Sequence, residues 1–174
     1  MEEVIGDFLK IILPAAAVMY GMFLTVRSFL NKDFEKKLAE LKMKNTEIVL
    51  PIRLQAYERI SLFLERMSPH NLIMRVNDPS YNVSQLQQRM LMEIREEFNH
   101  NLSQQVYMSE QAWALVKSSM EEIISIINRA AISLPPEAKG IELAKLIFEI
   151  LIQKKEDPVN KAIKFVKKEI QQVF

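Results

Sequence analysis

Residues 109–136 read SEQAWALVKSSMEEIISIINRAAISLPP. Trp113, Val116, Met120, Ile123, Ile127 and Ala130 follow one another at alternating steps of three and four, the spacing that puts side chains on one face of an α-helix. Ser109 suits the N-cap, because its side-chain oxygen accepts from a backbone N–H of the first turn, and Pro135-Pro136 stops the helix. An amphipathic helix of this length must lay its stripe on other elements, so its neighbours decide the fold.

Toward the C-terminus, a helix from about Glu137 to Glu156 carries Ile141, Ala144, Leu146, Ile147, Phe148, Ile150, Leu151 and Ile152, a surface dense enough to need cover on several sides. Asp157-Pro158 breaks it. The last helix then sets Val159, Ile163, Val166, Ile170 and Val173 against Lys161, Lys164, Lys167 and Lys168. Toward the N-terminus, Ser84 is the expected cap of a helix with Leu86, Met90, Ile94 and Phe98 on one face, extending toward Leu102 and Val106. Residues 77–83 form the expected irregular loop, and Ser68-Pro69 opens a short segment ending at Val76. From Pro51, the stripe is Leu54, Tyr57, Ile60, Leu64 and Met67, broadened by Leu62 and Phe63. No stretch alternates as a half-buried strand would, so the fold class is all-α.

Upstream of Pro51 the pattern changes. Residues 33–44 put Phe34, Leu38 and Leu41 on a stripe among charges, as an amphipathic or coiled-coil stalk does. Asn45-Thr46 and the TEIVL run before Pro51 predict a break, with a kinked continuous helix as the alternative. Before the stalk, residues 11–26, IILPAAAVMYGMFLTV, carry no charge, and Phe8 and Leu9 lengthen the run if Lys10 snorkels. That length crosses a bilayer as a helix. Glu2, Glu3 and Asp7 stand where a cleavable signal peptide has basic residues, so the segment is expected to be a retained anchor. Arg27, Lys32, Lys36, Lys37, Lys42 and Lys44 crowd behind it, which predicts an external N-terminus and a cytoplasmic bundle. Within the anchor, Ala17, Gly21 and Thr25 recur at every fourth position and form a candidate transmembrane packing face for self-association. The expected organisation is an anchor over residues 1–30, a charged stalk over 31–49 and a compact helical bundle over 50–174.

The chain's 174 residues contain no cysteine and three glycines, which removes disulfide frameworks, thiolate metal sites, cysteine nucleophiles and the glycine-rich phosphate loops. With 23 basic and 22 acidic residues, the net charge of +1 offers no bulk attraction for nucleic acid, and no nucleic-acid partner is expected. His70 and His100 are the only histidines. Glu97-Phe98-Asn99-His100 is half of the pair of Glu-x-x-His motifs that a bundle di-iron site uses, and the second half is missing, so no metal, cofactor or catalytic residue is expected. Glu96-Glu97 and Glu121-Glu122 read as solvated surface, and Ser103 and Ser118-Ser119 lack a base beside them. Trp113, Phe98 and Phe148 read as core. Lys161, Lys164, Lys167 and Lys168 are the candidate membrane-surface or partner contacts, against the plainer expectation that their helix packs on its own bundle.

The segment LPIRLQAYERISLFLERMSPHNLIMRV, residues 50–76, together with the anchor, resembles a family of bacterial single-pass membrane proteins known as a domain of unknown function. Pro51, Arg53, Gln55, Tyr57, Glu58 and Arg59 carry the resemblance. It implies a bacterial inner-membrane setting and no activity. Arg53, Glu58 and Arg59 are expected to brace the bundle by ion pairs, with projection toward a partner as the alternative, and Gln55 and Arg59 share a helix face. The expected function is a non-enzymatic scaffold or regulatory subunit of a membrane-associated complex, touching the bilayer through residues 8–26 and an unidentified membrane protein. The rivals are an accessory subunit bound through its transmembrane helix and an enzyme gathering Tyr57, Glu97 and His100 near the membrane surface.

Overall fold

The computed structural model describes residues 2–154 and 156–172, with side chains described for residue 10 and from residue 12 onward within those ranges. Val173, expected on the last stripe, and the side chains of Phe8, Leu9 and Ile11 lie outside the described residues. The described chain is all-α: α1 Glu2–Met67, α2 Pro69–Val76, α3 Val83–Asn101, a 3-10 helix Leu102–Tyr107, α4 Glu110–Ile132, α5 Gly140–Gln153 and α6 Pro158–Gln171. It divides into two compact units, residues 1–50 and 51–174.

In the first unit, α1 exposes its described apolar side chains from Ile12 to Val49. Among the described residues, α1 is the one helix long and apolar enough to cross a membrane. Asp33 and Lys37 pair one turn apart at 3.0 Å. The predicted break before Pro51 is absent, because α1 is helical without interruption from Glu2 to Met67. The Thr46 hydroxyl bonds back to the Lys42 carbonyl at 3.0 Å instead of opening a turn. Pro51 and Glu47, whose carbonyl loses its N–H partner to the proline, are both exposed, so water can satisfy what the ring removes.

In the second unit, α4 is the element on which α3, α5 and α6 all pack. Val116, Ile123, Ile126, Ile127 and Ala130 of α4 are buried against Ile60, Phe63, Leu64 and Met67 of α1, Leu86, Met90 and Ile94 of α3, Leu143 and Ile147 of α5, and Val159 and Val166 of α6. Ser119, the one buried polar side chain among the described residues, sits 2.9 Å from the Leu115 carbonyl and 2.8 Å from that of Pro158, so its hydroxyl is satisfied and fastens the start of α6 to α4.

Several expected core positions turn outward. Leu62 is 54% exposed and Leu54 lies at the margin of the stripe. Two residues from Leu64 at about 100° each, Leu62 points to the far side of the helix, and the buried line runs instead through Ala56, Tyr57, Ile60, Phe63, Leu64 and Met67. Helix α5 is shorter than expected, and Ile141 and Ile152 near its ends are exposed. Leu102 and Val106 are exposed because α3 ends at Asn101 and the chain tightens into 3-10 turns. The cap of α3 is Asn82, not Ser84: its side chain accepts from Gln85 N–H at 2.9 Å while the Gln85 side chain accepts from Asn82 N–H at 3.0 Å. Ser109 caps α4 as expected, accepting from Ala112 N–H at 3.1 Å.

The two connections flanking α3 and α5 are stitched together. Val83 N–H donates to Ala138 O at 2.9 Å and Gly140 N–H to Tyr81 O at 2.9 Å. A Cβ on Gly140 would lie 2.9 Å from that same Tyr81 oxygen and 3.3 Å from Leu86 Cδ2, whereas one on Gly21 would meet nothing within 4 Å. Gly140→Ala is therefore expected to destabilise the bundle by about 1–3 kcal/mol, the usual cost of overpacking, in urea unfolding of the full chain in detergent, with Gly21→Ala leaving the same transition in place.

Candidate functional site

The sequence segment that carries the family resemblance leads to a polar cluster that joins three helices of the bundle. Tyr57 is buried on the α1 stripe, and its hydroxyl donates to the Glu169 carboxylate of α6. The same carboxylate accepts from the Ser109 backbone N–H at 3.0 Å and from the Ser109 hydroxyl. One turn before Tyr57, Arg53 donates through Nε to the Tyr107 carbonyl at 3.4 Å, and its guanidinium lies 6.0 Å from the centre of the Tyr57 ring. One carboxylate thus joins α1, the N-cap of α4 and the end of α6.

Local sequence explains the placement. Arg53 and Tyr57 are four residues apart and share a face, and Glu169, three residues after Val166, falls at the edge of the buried α6 stripe. Burial by itself pushes the Glu169 carboxyl up, but the hydrogen bonds from Ser109 and Tyr57 and the Arg53 charge outweigh it and hold the group below the usual carboxylate value. Burial, then the Glu169 hydrogen bond, push the Tyr57 hydroxyl up, with Arg53 opposing. This chemistry suits a fixed charge that holds helices together.

The other motif residues part company with these two. Pro51, Gln55, Glu58 and Arg59 are exposed, and Glu58 and Arg59 form no ion pair among the described residues. Bracing therefore falls to Arg53 and Tyr57, while Gln55, Glu58 and Arg59 line an outward face of α1 with Leu62.

A second cluster occupies a neighbouring seam. Glu97 takes Arg66 of α1 at 2.8 Å and Arg75 of α2 at 3.5 Å, and Glu93 takes Arg75 at 3.2 Å and Arg89. The expectation that Glu97 is solvated surface is overturned, because two arginines from other helices converge on it. Glu122 likewise pairs with Lys154, while Glu121 reaches Lys117 at 3.8 Å. His100 is exposed and Tyr57 belongs to the Glu169 cluster, so Tyr57, Glu97 and His100 do not meet in one site. No three metal-ligating side chains gather among the described residues. Phe98 stacks on Trp113 with ring centres 5.6 Å apart and meets Phe63 at 5.9 Å, as core residues.

Between the start of α2 and the facing ends of α5 and α6 lies an open cleft of about 340 Å³ that includes His70, Phe148, Asp157 and Asn160. Asp157 is committed to capping α6, accepting from Val159 N–H at 2.9 Å and Asn160 Nδ2 at 2.8 Å, and His70 packs its ring 6.3 Å from that of Phe148. On α6, Val159, Ala162, Ile163 and Val166 are buried in the bundle. Lys164, Lys167 and Lys168 face out, and Lys161 reaches Glu156 at 3.6 Å.

Sequence reasoning missed Glu169. Its signal was available: it is the single acid in the lysine-rich PVNKAIKFVKKEIQ helix, and it follows the apolar stripe. Because its carboxyl titrates lower when folded than its ordinary value of 4.5, the cluster's contribution is complete above that pH and is lost as the pH falls through the folded value. Urea midpoints of the full chain between pH 7 and pH 3 are expected to fall less steeply in Glu169→Gln than in the parent chain. Tyr57→Phe is expected to cost on the order of 1 kcal/mol at pH 7.

No curated protein matches the chain, and no solved structure does. A family profile covers nearly all of it, residues 3–173, and on that match the chain belongs to DUF7935, a family of unknown function.

Proposed function

We infer that the chain is a membrane-anchored helical scaffold or regulatory subunit, whose second unit is held beside a bilayer by the first part of α1. The observation that carries this reading is the uncharged run of α1: every described side chain from Ile12 to Val26 is exposed, Val18, Met19, Tyr20 and Met22 among them. An apolar helix surface of that extent in water is a strong liability, and a bilayer both covers it and leaves its backbone satisfied within the helix. The basic residues from Arg27 to Lys44 favour a cytoplasmic bundle and an external N-terminus, in a bacterial inner membrane. Anchoring raises the concentration of the bundle near membrane-bound partners, so a modest surface suffices for binding. The exposed strip of Gln55, Glu58, Arg59 and Leu62 is one such surface, and the α6 face of Lys161, Lys164, Lys167 and Lys168 is another.

The accessory-subunit reading places the contact within the bilayer, on Ala17, Gly21 and Thr25. Thr25 donates its hydroxyl to Gly21 O at 2.8 Å, which keeps that polar group satisfied inside its own helix, and the space above Gly21 is open to an approaching helix. Gly21→Leu separates the two readings: loss of partner cross-links in intact cells assigns the contact to the membrane helix, and retention assigns it to the bundle.

The anchor itself is tested by flotation with phospholipid vesicles. The full chain is expected to float and to resist carbonate extraction. Met19→Arg, which places a charge in the middle of the run at a cost of about 2.5–3.5 kcal/mol, is expected to shift a large fraction into the soluble or aggregated pool. A parent chain that stays soluble and monomeric without lipid overturns the anchor.

A further inference from the structure

We propose that residues 31–48 of α1 form a parallel two-stranded coiled coil with a second copy of this chain, pinned in register by Asn31 and Asn45. The proposal builds on the membrane-anchor reading and names the partner of the stalk. Residues 31–48 read NKDFEKKLAELKMKNTEI, and one heptad register organises them: Asn31, Leu38 and Asn45 fall at the first core position, Phe34, Leu41 and Ile48 at the second. All six lie on uninterrupted helix. Phe34, Leu38, Leu41 and Ile48 are 42–66% exposed, so nothing in the described chain covers them.

The asparagines select the occupant and its direction. In a parallel, in-register pair each first core position faces its own copy, so Asn31 meets Asn31 and Asn45 meets Asn45, and each amide pair can exchange hydrogen bonds. In an antiparallel pair the first core position faces the second, which would set both asparagines against Phe34, Leu41 or Ile48 without a partner. Neither asparagine has a hydrogen-bond partner among the described residues. Parallel is also the direction that two copies anchored by the same helix in the same bilayer must take.

Charge and area fix how strong the pairing is. The unfavourable cross-strand pair of the parallel register is Lys37 with the second copy's Lys42, and Asp33 already neutralises Lys37 within its own helix at 3.0 Å. Four half-exposed apolar side chains on each chain bury on the order of 800 Å² in total, below the roughly 1,200 Å² of a stable interface. The seam is therefore too short to hold a dimer in solution, and confinement to the bilayer supplies the missing effective concentration.

The chain contains no cysteine, which makes the test direct. Single substitutions Phe34→Cys, Leu38→Cys, Leu41→Cys and Ile48→Cys on the seam, and Lys36→Cys, Glu40→Cys and Met43→Cys off it, are introduced into the full chain in phospholipid vesicles and oxidised briefly. Disulfide-linked dimer is expected at the four seam positions with a yield at least about fivefold above the other three. Flotation of the same samples scores the anchor separately. Chains that float but cross-link without this periodicity, or not at all, overturn the coiled coil and leave the anchor standing. Mixing Leu38→Cys with Leu41→Cys gives the direction: a mixed dimer that exceeds both like-with-like products overturns the parallel register. Chains that do not float yet show the seven-residue pattern keep the coiled coil, lose the anchor and overturn the need for bilayer confinement.

Discussion

Everything in the second unit depends on keeping the apolar face of α4 dry. Val116, Ile123, Ile126 and Ile127 have no exposed surface, and α3, α5, α6 and the last turns of α1 each present a stripe to close that face. No single contact of this kind is strong, since each buried aliphatic side chain contributes roughly 1.5–3 kcal/mol, but the helices share one central element and so gain or lose their cover together. The short connections follow from this sharing. Hydrogen bonds between Tyr81 and Gly140 and between Val83 and Ala138 hold the entries to α3 and α5 side by side, with Gly140 allowing the backbones to touch.

The polar clusters add specificity to this apolar closure. A stripe can slide by a turn against its partner at modest cost, whereas a carboxylate that accepts from Tyr57 and from both groups of Ser109 tolerates one register only. Glu97 does the same for α1, α2 and α3 by collecting Arg66 and Arg75. These groups are only partly buried, so their net stabilisation is small, and their main effect is on which arrangement of helices is reached.

Much of this was legible in the sequence. Three-four periodicity gave the helices that carry wide stripes, and prolines marked the starts of α2 and α6, because both signals are local. Ser109 and Asn82 illustrate the limit of local reasoning. Ser109 sits before a long amphipathic run and is legible as a cap, whereas Asn82, which forms a complete capping box with Gln85, is masked by Ser84, two residues on. The Pro51 break failed for a different reason: proline's penalty is smallest where freed carbonyls reach water, and a solvent-exposed stretch is where it stands. The sequence marks Glu169 as the single acid of a lysine-rich helix, but the partners of Glu97 and Glu169 are not legible there, since the arginines, tyrosine and serine that claim them come from helices brought together only by folding.

The motif of residues 51–59 shows how one short segment divides two tasks by helical geometry. Arg53 and Tyr57, one turn apart, face inward and fasten α1 to the 3-10 helix, α4 and α6. Gln55, Glu58 and Arg59 fall on other faces and are exposed. A substitution at Tyr57 acts on the bundle, whereas one at Glu58 or Arg59 leaves the core untouched and changes only the surface offered outward. Sequence similarity along such a segment therefore mixes two constraints. Separating them requires the helix face of each residue, which the heptad position supplies and the linear motif does not.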